Sequence, residues 1–225
     1  MPTVNDVLQV LRTGDLERLR ALLIMEPSLA DARDEAGVSI VLHARYRSRM
    51  DMLELLLASK PHLDIFEAAA LGRTEAVAAL LEKDTMRVHA FSPDGFTPLH
   101  LAAFFAYPET VTLLLEHGAD PNVIAKNPSM VTPLHSAAAG RSLDVLRMLL
   151  MRGANPNARQ QGGFTALHAA AIQGDVNMVR LLIGRGALPA AASDDGKTAL
   201  QMAEEKGHAA VVEFIASPPA PPPDE

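Results

Sequence analysis

The chain has 225 residues, with 20 Lys and Arg against 27 Asp and Glu, for a formal net charge of −7. That balance argues against a nucleic-acid backbone or an anionic membrane as the main partner, since both call for cationic faces. The absence of cysteine excludes disulfides and thiolate metal sites and fits a reducing cytoplasm, while a composition 48% apolar but only 4% aromatic suits thin, closely stacked helices of Leu, Ala, Val and Met. No basic-then-apolar leader follows Met1, and no run approaches the roughly 18 apolar residues of a membrane helix, so the chain reads as soluble and intracellular.

In chain order, seven segments carry the rhythm of two short helices. The first runs from Asn5-Asp6-Val7-Leu8 through Leu22-Leu23, with Gly14 between its helices, and reads as a cap. The second keeps Asp34-Glu35-Ala36-Gly37-Val38-Ser39 as a turn, then Leu53 to Leu57, with Leu42 where later segments have His. The third departs from the rest. Lys60-Pro61-His62-Leu63-Asp64 leaves no room for a hairpin before Ile65-Phe66-Glu67-Ala68-Ala69-Ala70. It is expected to lack that finger or to replace it with a tight turn at Pro61, with Asp64 near the helix start. In the fourth, Thr97 caps a helix that Pro98 opens, Leu99 faces inward, and Ala102 and Ala103 let helices approach closely. Ala106 and Pro108 break the pair, Leu113-Leu114-Leu115 fill the second helix, and Gly118 ends it. The seventh ends in Val211-Val212-Glu213-Phe214-Ile215 behind the polar Glu204-Glu205-Lys206, as a terminal cap requires. Beyond it, Ser217 to Glu225 is Pro-rich and is expected to be extended and disordered.

One motif recurs through the second half. Asp94-Gly95-Phe96-Thr97-Pro98-Leu99-His100-Leu101-Ala102-Ala103 returns in part as Val131-Thr132-Pro133-Leu134-His135, as Gly163-Phe164-Thr165-Ala166-Leu167-His168 and as Gly196-Lys197-Thr198-Ala199-Leu200. The threonines at 97, 132, 165 and 198 are spaced by 35, 33 and 33 residues. A period near 33 with T-P-L-H-x-A resembles the ankyrin repeat. Extending the register backwards puts the Thr-equivalent positions of the first three units at Asn5, Ser39 and Leu63. The resemblance implies an all-α repeat solenoid of helix-turn-helix units with β-hairpin or loop fingers, about seven in number, the third lacking its hairpin. It would form a single array over 1–216, in units of about 1–33, 34–60, 61–91, 92–126, 127–159, 160–192 and 193–216, followed by the tail at 217–225. In compactness and composition the chain looks like small bacterial ankyrin proteins.

Chemistry has little to stand on. There is no Gly-x-Ser-x-Gly and no Gly-rich strand-to-helix turn for phosphate, and Gly162-Gly163 reads as a hairpin tip. Asp194-Asp195 and Glu204-Glu205 read as solvated pairs. His100, His135 and His168 recur once per repeat without paired carboxylates at helical spacing, so a zinc site is not expected. In the resembled family this His bridges to the backbone of the adjoining turn. No catalytic residue, metal or cofactor is expected.

The resemblance also implies a binding groove, lined by residues just before each Thr and by two residues late in each first helix. Carried over, those slots hold Val38, Tyr46 and Arg47, then Asp94, Phe96, Phe104 and Phe105, then Val131, and then Phe164, Ile172 and Gln173. Ser129, Ala139 and Gly140 occupy further slots of the fifth unit, and Leu71 joins where the third finger no longer covers it. Five of the nine aromatics (Tyr46, Phe96, Phe104, Phe105 and Phe164) fall in these nominally exposed slots, which marks a recognition surface. Two packing readings stand beside it: Phe96 and Phe164 could lie against the next hairpin, and Phe104 and Phe105 could fill the gap of the missing finger. Phe66, placed in the His-equivalent slot, and Phe91 are expected to be internal. The implied function is a monomeric module that binds another protein, as adaptor or regulatory subunit. The alternatives are a dedicated inhibitor of an enzyme such as a basic nuclease, favoured by carboxylates in the groove, and a small-ligand binder or enzyme, favoured by a deep polar pocket beside the missing finger.

Overall fold

A computed structural model describes residues 1–59 and 62–217. The expected tight turn at Pro61 and the tail after Ser217 lie outside the described residues. Seven helix pairs follow one another: α1 Val4–Thr13 with α2 Leu16–Met25, α3 Ile40–Tyr46 with α4 Met50–Ala58, and α5 Ile65–Ala70 with α6 Thr74–Lys83. Then come α7 Pro98–Phe104 with α8 Pro108–Glu116, α9 Pro133–Ala139 with α10 Leu143–Met151, α11 Ala166–Gln173 with α12 Val176–Gly184, and α13 Ala199–Lys206 with α14 Ala209–Ala216. No single pair can bury its apolar face, so the inner helices stack on one another (α5 on α7, α7 on α9, α9 on α11, α11 on α13) and the outer helices form a second layer. The inner layer is thin because its contact residues are small: Ala68, Ala69, Ala102, Ala103, Ala137, Ala138, Ala170 and Ala171 are all fully buried.

Every inner helix begins at a side-chain cap, which fixes the register of the array. The caps are Thr3, Ser39, Asp64, Thr97, Thr132, Thr165 and Thr198. Two differ from the sequence expectation. The first unit starts at Thr3, two residues before Asn5, because Thr3 and Asp6 form a reciprocal capping box. The third starts at Asp64, one residue after Leu63, because an Asp–Glu box replaces the Thr–His one. Glu67 N–H donates to Asp64 Oδ1 at 2.8 Å, and Asp64 N–H donates to Glu67 Oε2 at 2.9 Å. The His-equivalent slot therefore belongs to Glu67, not to Phe66, which is half-buried against the core. Phe91 is also half-buried rather than internal, with Lys126 Nζ 4.1 Å above its ring.

Each finger is closed at its base by one backbone bond: Asp34 N–H to Val38 O, Ser92 N–H to Phe96 O, Ala125 N–H to Val131 O, Gln160 N–H to Phe164 O and Ser193 N–H to Lys197 O. The finger closed by Ala125 and Val131 is two residues longer than the others, which accounts for the 35-residue step. Successive fingers are stitched by Lys126 N–H to Gly95 O, Gln161 N–H to Ser129 O and Asp194 N–H to Gly162 O.

Among the described residues no finger stands between those of the second and fourth units, and long side chains close the gap. A Cβ on Gly37 would stand 3.2 Å from Pro93 Cγ, so the second and fourth fingers are direct neighbours. Tyr46 donates its hydroxyl to Asp94 Oδ2 at 2.7 Å, and its ring stacks on Phe105 with centroids 6.0 Å apart. Arg45 reaches across the third unit: its Nε donates to Ala70 O, its Nη2 to the Tyr107 hydroxyl, and its Cζ lies 4.0 Å from the centre of the Phe105 ring. Phe105 thus packs into the gap, whereas Phe104, which the second packing reading also put there, is exposed. Among the described residues no helix is long and apolar enough to cross a membrane.

Candidate functional site

The sizes of equivalent side chains in adjacent units create a recess. Four and seven residues after its cap, the fourth unit carries Leu101 and Phe104, while the fifth carries Ser136 and Ala139. Large side chains on α7 therefore stand beside small ones on α9, and Ser129 and Val131 of the lengthened fifth finger border the step. The result is a cavity of about 350 Å³. Its floor is His100, Leu101 and Phe104 of α7 with His135, Ser136 and Ala139 of α9; its walls are Phe96, Ser129, Val131 and Gln160 from three fingers, and Tyr46 closes one end.

The imidazoles in this floor are structural. Thr97 N–H donates to His100 Nδ1 at 3.2 Å, so that nitrogen carries no proton and Nε2 must carry it. Nε2–H then donates to Val131 O at 3.0 Å, tying the base of the fifth finger to α7. His135 repeats this with Thr132 N and Phe164 O, and His168 with Thr165 N and Lys197 O, so each His holds the next finger as the resemblance implies. Burial is the main cause that depresses all three histidines, and the backbone acceptors only partly offset it; His100 falls to about 4. They are neutral at physiological pH and have no free nitrogen for a metal or a proton transfer. The Tyr46 phenol is pushed upward by burial and then by the Asp94 charge, so it too stays protonated. What the recess offers is shape and apolar contact.

Of the sequence-predicted residues, Tyr46, Phe96, Phe104 and Val131 line this recess together. Phe104 is the most open of them, 40% exposed, and meets Phe105 edge to face at 5.0 Å. Asp94 and Phe105 stand behind Tyr46 and hold it. The other six lie elsewhere. Val38 is only 5% exposed and belongs to the core, because the fourth finger abuts the second. Arg47 is exposed, but its guanidinium folds back on His43 of its own helix. Leu71 packs on the N-terminal hydrophobic cluster rather than joining a surface patch. Phe164 lies edge-on to His168, 5.6 Å between ring centres. Ile172 is half-buried, with its carbonyl taken by His208 Nε2, and Gln173 donates across to Ala138 O. Leu101, Ser136 and Gln160 were not singled out from the sequence, although Leu101 and Ser136 sit three residues before Phe104 and Ala139 on the same helical face. Among the described residues no group of three or more His, Asp or Glu side chains could hold a metal ion.

Two family models match the chain. One, described as ankyrin repeats (3 copies), covers residues 64–125 and 134–222, and the other, described as ankyrin repeats (many copies), covers 102–150. Among curated proteins the chain is similar to the DNA-binding protein RFXANK of Homo sapiens, 35% identical over 103 residues, which is 45% of this chain and 40% of that protein. It is similar to the BTB/POZ domain and ankyrin repeat-containing protein NPR5 of Oryza sativa subsp. japonica, 35% identical over 103 residues, 43% of this chain and 20% of the other. It also matches the regulatory protein NPR5 of Arabidopsis thaliana, 41% identical over 103 residues, 43% of this chain and 21% of the other. The alignments thus span at most two fifths of these relatives' own length. The first family model covers well over half of the chain, and the caps, fingers and His bridges recur unit by unit beneath it: the chain belongs to the ankyrin-repeat family.

Proposed function

We propose that this protein is a non-catalytic interaction module that holds a partner protein over the recess between α7, α9 and the fingers, as an adaptor or regulatory subunit. The observation that carries this reading is the cavity itself: about 350 Å³, lined by Tyr46, Phe96, Phe104, Leu101 and Val131, with the imidazoles of its floor saturated by internal hydrogen bonds. Such a recess receives a large apolar side chain of a partner, and a few buried rings supply most of the affinity of an interface. One relative is named a regulatory protein, in keeping with this reading, while another is named a DNA-binding protein. The net charge of −7 favours a protein over direct contact with DNA, and the absence of cysteine suits the reducing cytoplasm. No carboxylate lines the recess, which gives the inhibitor of a basic nuclease no particular support.

Selection of random peptides displayed on phage against the immobilised protein tests the proposal. Selected peptides should converge on one or two large apolar anchors. Phe104→Asp should weaken their binding at least about tenfold, equal to about 1.4 kcal/mol, with little change in the urea midpoint because that ring is partly exposed. Peptides that bind wild type and Phe104→Asp equally would place the working surface elsewhere.

A further inference from the structure

On the outer layer, away from the recess, a second cleft of about 320 Å³ lies between α10 and α12 and is lined by Leu143, Arg147, Asn177, Arg180, Leu181, Gly184 and Arg185. The repeat puts its arginines together. Arg147 and Arg180 each stand 15 residues after their Thr, so they are equivalent positions on adjacent outer helices, whose axes pack about 8–10 Å apart. Arg185 adds a third guanidinium at the end of α12. The three are exposed, and none has a carboxylate partner among the described residues, whereas Arg152 on the same face is taken by Glu116 at 3.9 Å. No carboxylate lines the cleft, in a chain where carboxylates outnumber Lys and Arg by 27 to 20. Arg180 is steadied by the Phe214 ring, 4.6 Å from its Cζ, and not by Glu213 beside that ring.

We propose that this cleft binds a phosphorylated side chain on a segment of a partner protein. One carboxylate is satisfied by one guanidinium fork, whereas three unpaired forks in one cleft match a group with more charge and more acceptors. A phosphoryl group carries about −1.5 to −2 charges and three strong acceptor oxygens at neutral pH. The cleft exceeds a bare phosphate, and its floor of Leu143 and Leu181 suits the flanking apolar atoms of a peptide. An anionic membrane is disfavoured by the chain's net charge of −7. This site is independent of the recess on the inner layer and does not rest on that reading.

The test uses the full chain and two pools of labelled nonapeptides, random except for a central phosphoserine or a central serine, in 0.15 M salt (about the physiological ionic strength). The phosphoserine pool should be retained at least about tenfold better, Arg147→Gln/Arg180→Gln should lose that difference, and Phe104→Asp should keep it. On isotope-labelled wild type, the same pool should shift the side-chain N–H resonances of Arg147, Arg180 and Arg185, which keeps the test valid if the double variant is destabilised. Equal retention of the two pools, unchanged retention by a folded double variant, or shifts confined to other arginines would overturn the proposal. Tighter binding to phosphatidylcholine vesicles containing phosphatidylserine than to the phosphoserine pool would overturn it in favour of a membrane, and equal shifts with inorganic phosphate alone would reduce it to a free-anion site.

Discussion

Gly140→Ala is expected to be among the most damaging single-methyl changes in the array, lowering stability by about 3 kcal/mol, the upper end of ordinary overpacking. The reason is steric, not conformational. Gly140 has φ −75°, which any residue adopts, but a Cβ there would lie 2.0 Å from Phe104 O and 2.8 Å from its carbonyl carbon. Both are backbone atoms at the end of α7, so no side chain can swing aside, and the inner helices of the fourth and fifth units must separate. Gly118→Ala is the contrasting case. It has φ +87° but nothing within 4 Å of the added methyl, so only backbone strain of about 1 kcal/mol is expected. Urea unfolding of the two variants measures the difference. Because Phe104 and Ala139 line the recess, Gly140→Ala should also weaken peptide binding, while Gly118→Ala should not.

The second large effect is acid destabilisation between pH 6.5 and about 4. His100, His135 and His168 are buried neutral, each with Nδ1 accepting from a backbone N–H and Nε2–H donating to the next finger. Their folded-state values lie below the ordinary 6.5, so the unfolded chain takes up protons first as pH falls. Stability is therefore fully present above pH 6.5 and declines as pH drops towards the depressed folded value, about 4 for His100. For His100 alone the linkage amounts to about 3 kcal/mol across that window, and the other two add in the same direction. Urea midpoints at pH 7.5, 6.5, 5.5 and 4.5 should fall steadily below 6.5, with a shallower slope for His100→Gln, which has one imidazole fewer to protonate. A flat midpoint down to pH 4.5 would show that the imidazoles do not carry the stack.

Much of the array was legible because Thr and His do a recognisable job at fixed spacing. Thr97, Thr132 and Thr165 cap the helices that carry His100, His135 and His168, and the caps and bridges both appear in the structure. Without the Thr–His pair the register is set less firmly: Ser39 of the second unit is placed correctly, but the first unit slips by two residues and the third by one. Leu63-Asp64-Ile65-Phe66-Glu67 offers apolar residues at either phase, and only the reciprocal Asp64–Glu67 bonds decide it. The recess was half legible. Tyr46, Phe96, Phe104 and Val131 were found from their slots, but the cavity arises from a difference in size between neighbours, Leu101 and Phe104 against Ser136 and Ala139, that a reading of one unit at a time does not register. Val38 was misplaced because the lost third finger lets the fourth close over it, a consequence of deletion that no local pattern carries.

The most direct measurement on the recess is site-specific photocrosslinking in the source cells, with p-benzoylphenylalanine placed at Ala139 on its floor or at Asp144 on the exposed outer layer. The account predicts a discrete protein adduct from position 139, absent from 144 and abolished by Phe104→Asp. An adduct that forms only from position 144, or that survives Phe104→Asp undiminished from 139, would contradict it.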